Sequence, residues 1–280
     1  MIERQIRCLG PHGFYRMAYF EWPGPAQGRV TVCVHGLTRN GRDFDRLAAS
    51  LAARGPVLCP DMPGRGKSDW FDHAEDYGYP TYLSAVAALL ARLDGAEIDW
   101  VGTSMGGIIG MFLAALPGMP IRRLVLNDIG PLIAAEGLRR LASYVGADPS
   151  FPDLAALEAD LRRIAATFGP LRPVDWAHLA RVSSRRRPDG TLGYAYDPHI
   201  ATAGPQAEPN DIDLWASWAP ITAETLVIRG ADSDILRHDD AVAMTERGPR
   251  ARLVELPGIG HAPALMAEDQ IALVRDFLRD

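Results

Sequence analysis

Ser104 stands in the stretch Asp99–Gly110, DWVGTSMGGIIG, with Gly102 two residues before it and Gly106 two residues after it. Such a G-x-S-x-G spacing arises by chance in about one chain in ten of this length, so its context has to carry the reading. A plain glycine-rich turn ahead of a helix is one reading. The other is a tight turn that lifts a nucleophile out of a sheet, with glycines where side chains would collide. A serine hydroxyl is a poor nucleophile at neutral pH. It needs a base beside it and a carboxylate to orient that base. The chain has seven histidines. His261, in LPGIGHAPAL, follows the last predicted strand and precedes the last predicted helix, so it has the order and position of the base. His35 ends VTVCVHG, while His12, His73, His178, His199 and His238 fall in loops or in a long helical interval. For the acid, VIRGADSDIL offers Asp232 and Asp234, and Asp128 after RRLVLN is a third candidate one strand earlier. The order serine, aspartate, histidine suits a strand–turn–helix setting for the nucleophile.

The elements that would position these groups are short apolar runs alternating with alanine- and leucine-rich segments. The runs cover 29–36, 56–61, 98–104, 121–128, 225–230 and 251–258. They are nearly continuous in apolar character, as strands buried on both faces of a parallel sheet must be. Between them the spacing predicts helices over Asp43–Arg54, Tyr82–Leu93, Met105–Leu116, Asp239–Glu246 and Ala267–Arg279. This alternation predicts an α/β chain with an open, mostly parallel, doubly wound sheet. Ile2–Cys8 and Phe14–Glu21 fit an antiparallel edge hairpin.

The rhythm breaks between about Gly130 and Ala219, where no buried strand is evident. Helical stretches at Glu136–Tyr144, Leu154–Phe168 and Trp176–Val182 are followed by a loose proline- and glycine-bearing run from Pro188 to Pro209. An excursion of that length is too long for a loop inside a compact domain. It predicts a helical cap over 131–219, inserted between core segments 1–130 and 220–280, with junctions near Pro131 and Pro220.

Composition narrows the function classes. The 280 residues carry a net charge of −6, and nearly half are hydrophobic. Mild acidity argues against nucleic acid as the main partner, because phosphate binding needs a concentrated basic face. The densest basic run, Arg185–Arg187, reads as a solvated loop. Cys8, Cys33 and Cys59 are widely spaced and show no CxxC pairing, as small core residues in a reducing compartment would be. The charged start MIERQIRCLG is no secretory signal and no apolar run reaches membrane-spanning length, so a cytoplasmic protein with no membrane partner is expected. Asp72 and His73 lack a nearby third ligand, and DMPGRGKSD lacks the spacing of a phosphate loop, so no metal and no cofactor is expected. Homo-oligomerisation is left open.

Six motifs together carry a family likeness: VHGLTRN (34–40), DMPGRGKSDW (61–70), GTSMGG (102–107), LNDIGP (126–131), RGADSDIL (229–236) and GIGHAP (258–263). Over essentially its whole length the chain resembles a capped, esterase-like α/β-hydrolase. The resemblance implies Ser104 as nucleophile, His261 as base and Asp234 as acid, with Asp232 in reserve. It also implies an oxyanion hole formed by the backbone N–H groups of Leu37 and Met105, with His35 shaping the turn. Fixed backbone donors suit a developing alkoxide and explain how a leucine can hold a catalytic position. The expected activity is hydrolysis of small- to medium-chain carboxylic esters through an acyl-enzyme. Cleavage of a carbon–carbon bond in ring-cleavage diketones, with Arg39 or Arg181 on the substrate carboxylate, uses the same triad, as do lactonase and thioesterase activities. Ser104 argues against haloalkane dehalogenase and epoxide hydrolase, relatives that carry an aspartate nucleophile at this place. A non-catalytic ligand-binding module is the rival from another class. Trp176, Trp215 and Trp218 read mainly as packing within the cap, and otherwise as the lining of an acyl pocket.

Overall fold

The computed structural model describes residues 1–25, 28–93, 95–202 and 210–279. Residues 203–209, at the end of the loose run expected over 188–209, therefore lie outside the described residues. Eight strands form one sheet: β1 (Ile2–Gly10), β2 (Gly13–Trp22), β3 (Arg29–Val34), β4 (Val57–Pro60), β5 (Glu97–Thr103), β6 (Ile121–Asn127), β7 (Glu224–Gly230) and β8 (Arg252–Leu256). Their spatial order is β1-β2-β4-β3-β5-β6-β7-β8. The ladder from β4 to β8 is parallel throughout, and β2 runs antiparallel to both β1 and β4. All six expected core strands and the edge hairpin are present. The helices are α1 (Asp45–Leu51), α2 (Tyr79–Leu90), α3 (Met105–Ala114), α4 (Ala135–Ala142), α5 (Leu154–Ile164), α6 (Pro173–Val182), α7 (Trp215–Trp218), α8 (His238–Glu246) and α9 (Glu268–Phe277).

The continuous apolar runs follow from burial on both faces of the sheet. Val32, Trp100, Leu124 and Val227 join one core with residues of α2, α3 and α8. Their chain neighbours Cys33, Val101, Val125 and Ile228 join a second core with residues of α1 and α9. Successive strand side chains point to opposite faces, so the middle of each central strand is apolar on both, with polar residues such as Asp99 and Arg123 toward the strand starts. Cys8, Cys33 and Cys59 are buried free thiols. Among the described residues no helix is long and apolar enough to cross a membrane.

Two local expectations differ from the structure. The helix expected from Asp43 opens as a separate 3₁₀ turn, Gly41–Phe44, because Phe44 at φ −90° and ψ 6° interrupts the regular helix before α1. The basic run is not a solvated loop: Ser184–Arg186 pairs antiparallel with Leu192–Tyr194. The Arg185 guanidinium lies 4.5 Å from the Trp70 ring centroid, and Arg187 pairs with Asp148. Aromatic and carboxylate partners thus remove two of the three charges from bulk water.

Between β6 and β7 the described residues form α4 to α7 and strands of two or three residues. Ile212–Asp213 pairs antiparallel with Leu132–Ile133, which brings the two ends of the interval together. Its middle meets the core loops at several points. Asn40 donates to the Val182 carbonyl at 2.9 Å, Gly66 N–H to Ala195 O at 2.8 Å, Asp197 N–H to Gly64 O at 2.8 Å and Gly260 N–H to Thr167 O at 2.9 Å.

Candidate active site

Strand β5 ends at Thr103 and helix α3 starts at Met105, which leaves Ser104 alone to reverse the chain. Its backbone sits at φ 51° and ψ −115°, a strained left-handed conformation for a residue with a side chain. The turn is held on both sides. Ser104 N–H donates to Asn127 O at 3.0 Å, and its carbonyl accepts from Gly107 and Ile108. The flanking glycines have a steric cause. A Cβ on Gly102 would lie 2.3 Å from the Gly106 carbonyl oxygen, and one on Gly106 would lie 2.0 Å from the Val34 carbonyl oxygen. No side chain fits at either position.

The loop after β8 brings His261 to this turn. Its Nε2 is 2.9 Å from Ser104 Oγ, and its Nδ1 is 2.7 Å from Asp128 Oδ2. Asp128 follows β6 directly and is fully buried. Its φ of 56° is a conformation that aspartate tolerates better than most residues, and its N–H donates to Ile228 O at 2.7 Å. The carboxylate has a donor on each oxygen: Oδ1 accepts from Gly230 N–H at 2.7 Å, and Oδ2 accepts from Ser233 Oγ at 2.6 Å as well as from the imidazole. Thr167 Oγ donates to the His261 carbonyl, which ties the loop to the interval before β7.

Asp234, the acid expected from the motif RGADSDIL, is elsewhere. Its carboxylate is taken by Arg140 of α4, with Nη2 to Oδ1 at 2.9 Å and Nε on the other oxygen. Asp232 is exposed, and its backbone N–H bonds Ile259 O. The β7 loop instead contributes Ser233, whose hydroxyl donates to Asp128. β6 and β7 are adjacent parallel strands, about 4.8 Å apart, so a carboxylate at either strand end starts close to the histidine. The left-handed turn at Asp128 decides which one meets it.

The turn after β3 approaches from the other side. A Cβ on Gly36 would lie 3.7 Å from Ser104 Cβ, so Leu37 begins next to the serine. The backbone N–H groups of Leu37 and Met105 have no acceptor among the described residues. His35 is buried, donates from Nδ1 to Gly36 O at 2.7 Å and accepts on Nε2 from Met62 N–H at 2.9 Å. Burial pushes its pKa down to about 3, so the ring stays neutral and braces the turn. Asp61 accepts from Gly41 N–H at 2.7 Å and Lys67 N–H at 2.8 Å, while burial pushes its carboxyl up to about 7. A small cavity of about 30 Å³ lies beside the serine, lined among others by Gly36, Arg39, Thr103, Phe168 and Ala262. Arg39 is neutralised there by Asp43, with Nη2 to Oδ1 at 2.7 Å. Trp218 is fully buried and donates to Arg247 O at 2.9 Å, and Arg247 stacks on Trp215. These two tryptophans lie against the residues that follow α8, and their helix α7 also meets α3.

Such an arrangement can remove a proton from a hydroxyl as that hydroxyl attacks a carbonyl, and later return the proton to a leaving group. Residues 31–274 match the model of the alpha/beta hydrolase family. The chain belongs to that family. A 3-hydroxybutyrate-oligomer hydrolase of Cupriavidus necator is 42% identical to this hydrolase, over 97% of this chain and 96% of the relative. Among solved structures, a putative hydrolase from Rickettsia typhi superposes with a TM-score of 0.93 at 31% identity and covers 99% of both chains. An alpha/beta hydrolase from Novosphingobium aromaticivorans superposes at 0.86 with 35% identity, over 98% of both. An esterase of Mycobacterium tuberculosis is 29% identical over 84% of this hydrolase and 76% of its own length.

Proposed function

We propose that this hydrolase is a serine esterase acting on short hydroxyacyl esters, with a triad of Ser104, His261 and Asp128. The observation that carries the reading is the unbroken relay from Ser104 Oγ to His261 Nε2 at 2.9 Å and from His261 Nδ1 to Asp128 at 2.7 Å. Buried Asp128 fixes the tautomer that leaves Nε2 free to accept the serine proton, and it stabilises the imidazolium that follows. Ser104 attacks the ester carbonyl. The alkoxide develops toward the N–H groups of Leu37 and Met105, the latter at the positive end of α3. His261 then protonates the departing alcohol. Water activated by the same imidazole releases the acid and restores the serine. Residues 131–219 act as a cap that limits bulk water and bounds the substrate. The likeness to a 3-hydroxybutyrate-oligomer hydrolase over nearly the whole of both chains supports a small hydroxyacid oligomer as substrate.

The test compares the 3-hydroxybutyrate dimer and trimer with p-nitrophenyl esters from acetate to dodecanoate, for the wild type and Ser104→Ala. Turnover should peak at short acyl chains, include the oligomers, and fall at least about 10³-fold in the variant. Unchanged activity in Ser104→Ala overturns the nucleophile. Cleavage of p-nitrophenyl esters without oligomers overturns the substrate class. Silence on every ester, with cleavage of a vinylogous diketone, overturns the ester chemistry.

A further inference from the structure

Arg65 lies between two glycines in the loop after β4 and is fully buried, yet it pairs with no carboxylate among the described residues. An unneutralised buried cation is costly, and every donor it carries must find an acceptor. Its Nε donates to the Leu37 carbonyl at 2.8 Å. Its Nη1 donates to Pro63 O at 2.6 Å and to Tyr82 Oη at 2.7 Å. Its Nη2 reaches Met105 Sδ at 3.6 Å. The rings of Tyr82 and Tyr77 lie 5.0 Å and 5.8 Å from the guanidinium carbon. Arg65 therefore grips both residues whose N–H groups would face the oxyanion. It holds Leu37 by the carbonyl that sets its ψ angle, and Met105 by its side chain. The loop is locked from outside as well: Gly66 N–H donates to Ala195 O, and Asp197 N–H donates to Gly64 O. Its field also reaches His35, where it helps keep the ring neutral.

We infer that Arg65 is a positioning residue for the oxyanion hole. It holds the Leu37 and Met105 donors in register and places an uncompensated positive charge beneath the developing alkoxide. A planar fork is needed for this, because one ammonium cannot serve Leu37 O, Pro63 O, Tyr82 Oη and Met105 Sδ at once. The inference rests on the Ser104 reading above. A fixed charge in a water-excluded site acts on the transition state far more than on the neutral bound ester, so its loss should appear in kcat and leave KM nearly unchanged.

The experiment uses Arg65→Met, Arg65→Lys and Tyr82→Phe in the full chain, with an alkyl boronate as the tetrahedral-adduct mimic and circular dichroism as the check on folding. Arg65→Met should lose about 10²-fold in kcat with KM within about twofold, and boronate affinity should fall by a matching factor. Arg65→Lys should recover part of that loss because the charge remains. Tyr82→Phe loosens the guanidinium without touching the charge and should lose several-fold in kcat, which keeps the test decisive if Arg65→Met does not fold. Unchanged kcat and boronate affinity in the folded variants overturns the inference, as does a loss confined to KM. Ser104→Ala, run alongside, separates this failure from failure of the nucleophile: full activity in that variant removes the premise, whereas its inactivity beside a fully active Arg65→Met removes Arg65 alone.

Discussion

Two carboxylates compete for one histidine at the residue scale, and the competition turns on what else each has to bind. Asp128 is wholly buried, its carboxylate accepts three hydrogen bonds, from Gly230 N–H, Ser233 Oγ and His261 Nδ1, and its backbone N–H is anchored by donating to Ile228 O. Asp234 answers to Arg140, which holds its carboxyl below the usual range against the effect of burial. Asp128→Asn should therefore drop kcat by about 10⁴-fold, because an amide in that place favours the wrong imidazole tautomer. Asp234→Asn should stay within about tenfold of wild type, the change falling mainly on the tie to α4. Measured kcat values in the reverse order would return the acid to Asp234. The motif RGADSDIL could not separate the two, since its aspartates and Asp128 all follow adjacent strand ends. A signal did exist in LNDIGP, where an aspartate stands at the very end of a buried strand.

At the scale of elements, the passage from β5 through Ser104 into α3 is closed in by backbone on both sides. The strain at Ser104 persists because the surrounding backbone is packed without slack on both sides. Gly106→Ala would place a methyl 2.0 Å from the Val34 carbonyl oxygen. Because backbone cannot yield as a flexible side chain does, the variant should lose about 3 kcal/mol or more in urea unfolding. An unchanged midpoint and slope would show that β3 and α3 can separate at no cost. Strands and helices were legible because burial on both faces writes itself into composition, as in RVTVCV and TLVIRG. The pairing of Ser184–Arg186 with Leu192–Tyr194 was not, because three arginine-rich residues look like solvent-facing chain until Trp70 and Asp148 are found beside them.

For the molecule as a whole, the braced turns have a cost that depends on pH. His35 has a folded pKa of about 3 against about 6.5 unfolded, so its contribution to stability is complete above pH 6.5 and drains away as the unfolded chain takes up the proton below it. That loss amounts to about 1.4 kcal/mol per pH unit between roughly 6 and 3.5. Asp61 has the opposite sign. Its folded pKa of about 7 lies above the unfolded value near 3.9, so its contribution is complete at low pH and lost as pH rises through 7. His35→Gln should lower stability at pH 8, and its deficit against the wild type should shrink as pH falls from 6.5 to 5, as read from urea midpoints of both proteins across that range, because Asp61 contributes equally to each. A deficit that stays constant across that range would place the pH dependence elsewhere.

What the amino-acid sequence determined by itself was the order of elements, the sheet's two buried faces, the strained serine turn and the histidine that follows the last strand. All of these are written in local periodicity and glycine spacing. Only the tertiary structure decided that Asp128 meets His261, that Asp234 serves Arg140, and that Arg65 reaches both Leu37 and Met105. Those contacts join residues 28 to 133 positions apart or more than one loop at a single strand edge. The choice among side chains a few ångströms apart there depends on backbone turns and burial that no short window of sequence contains.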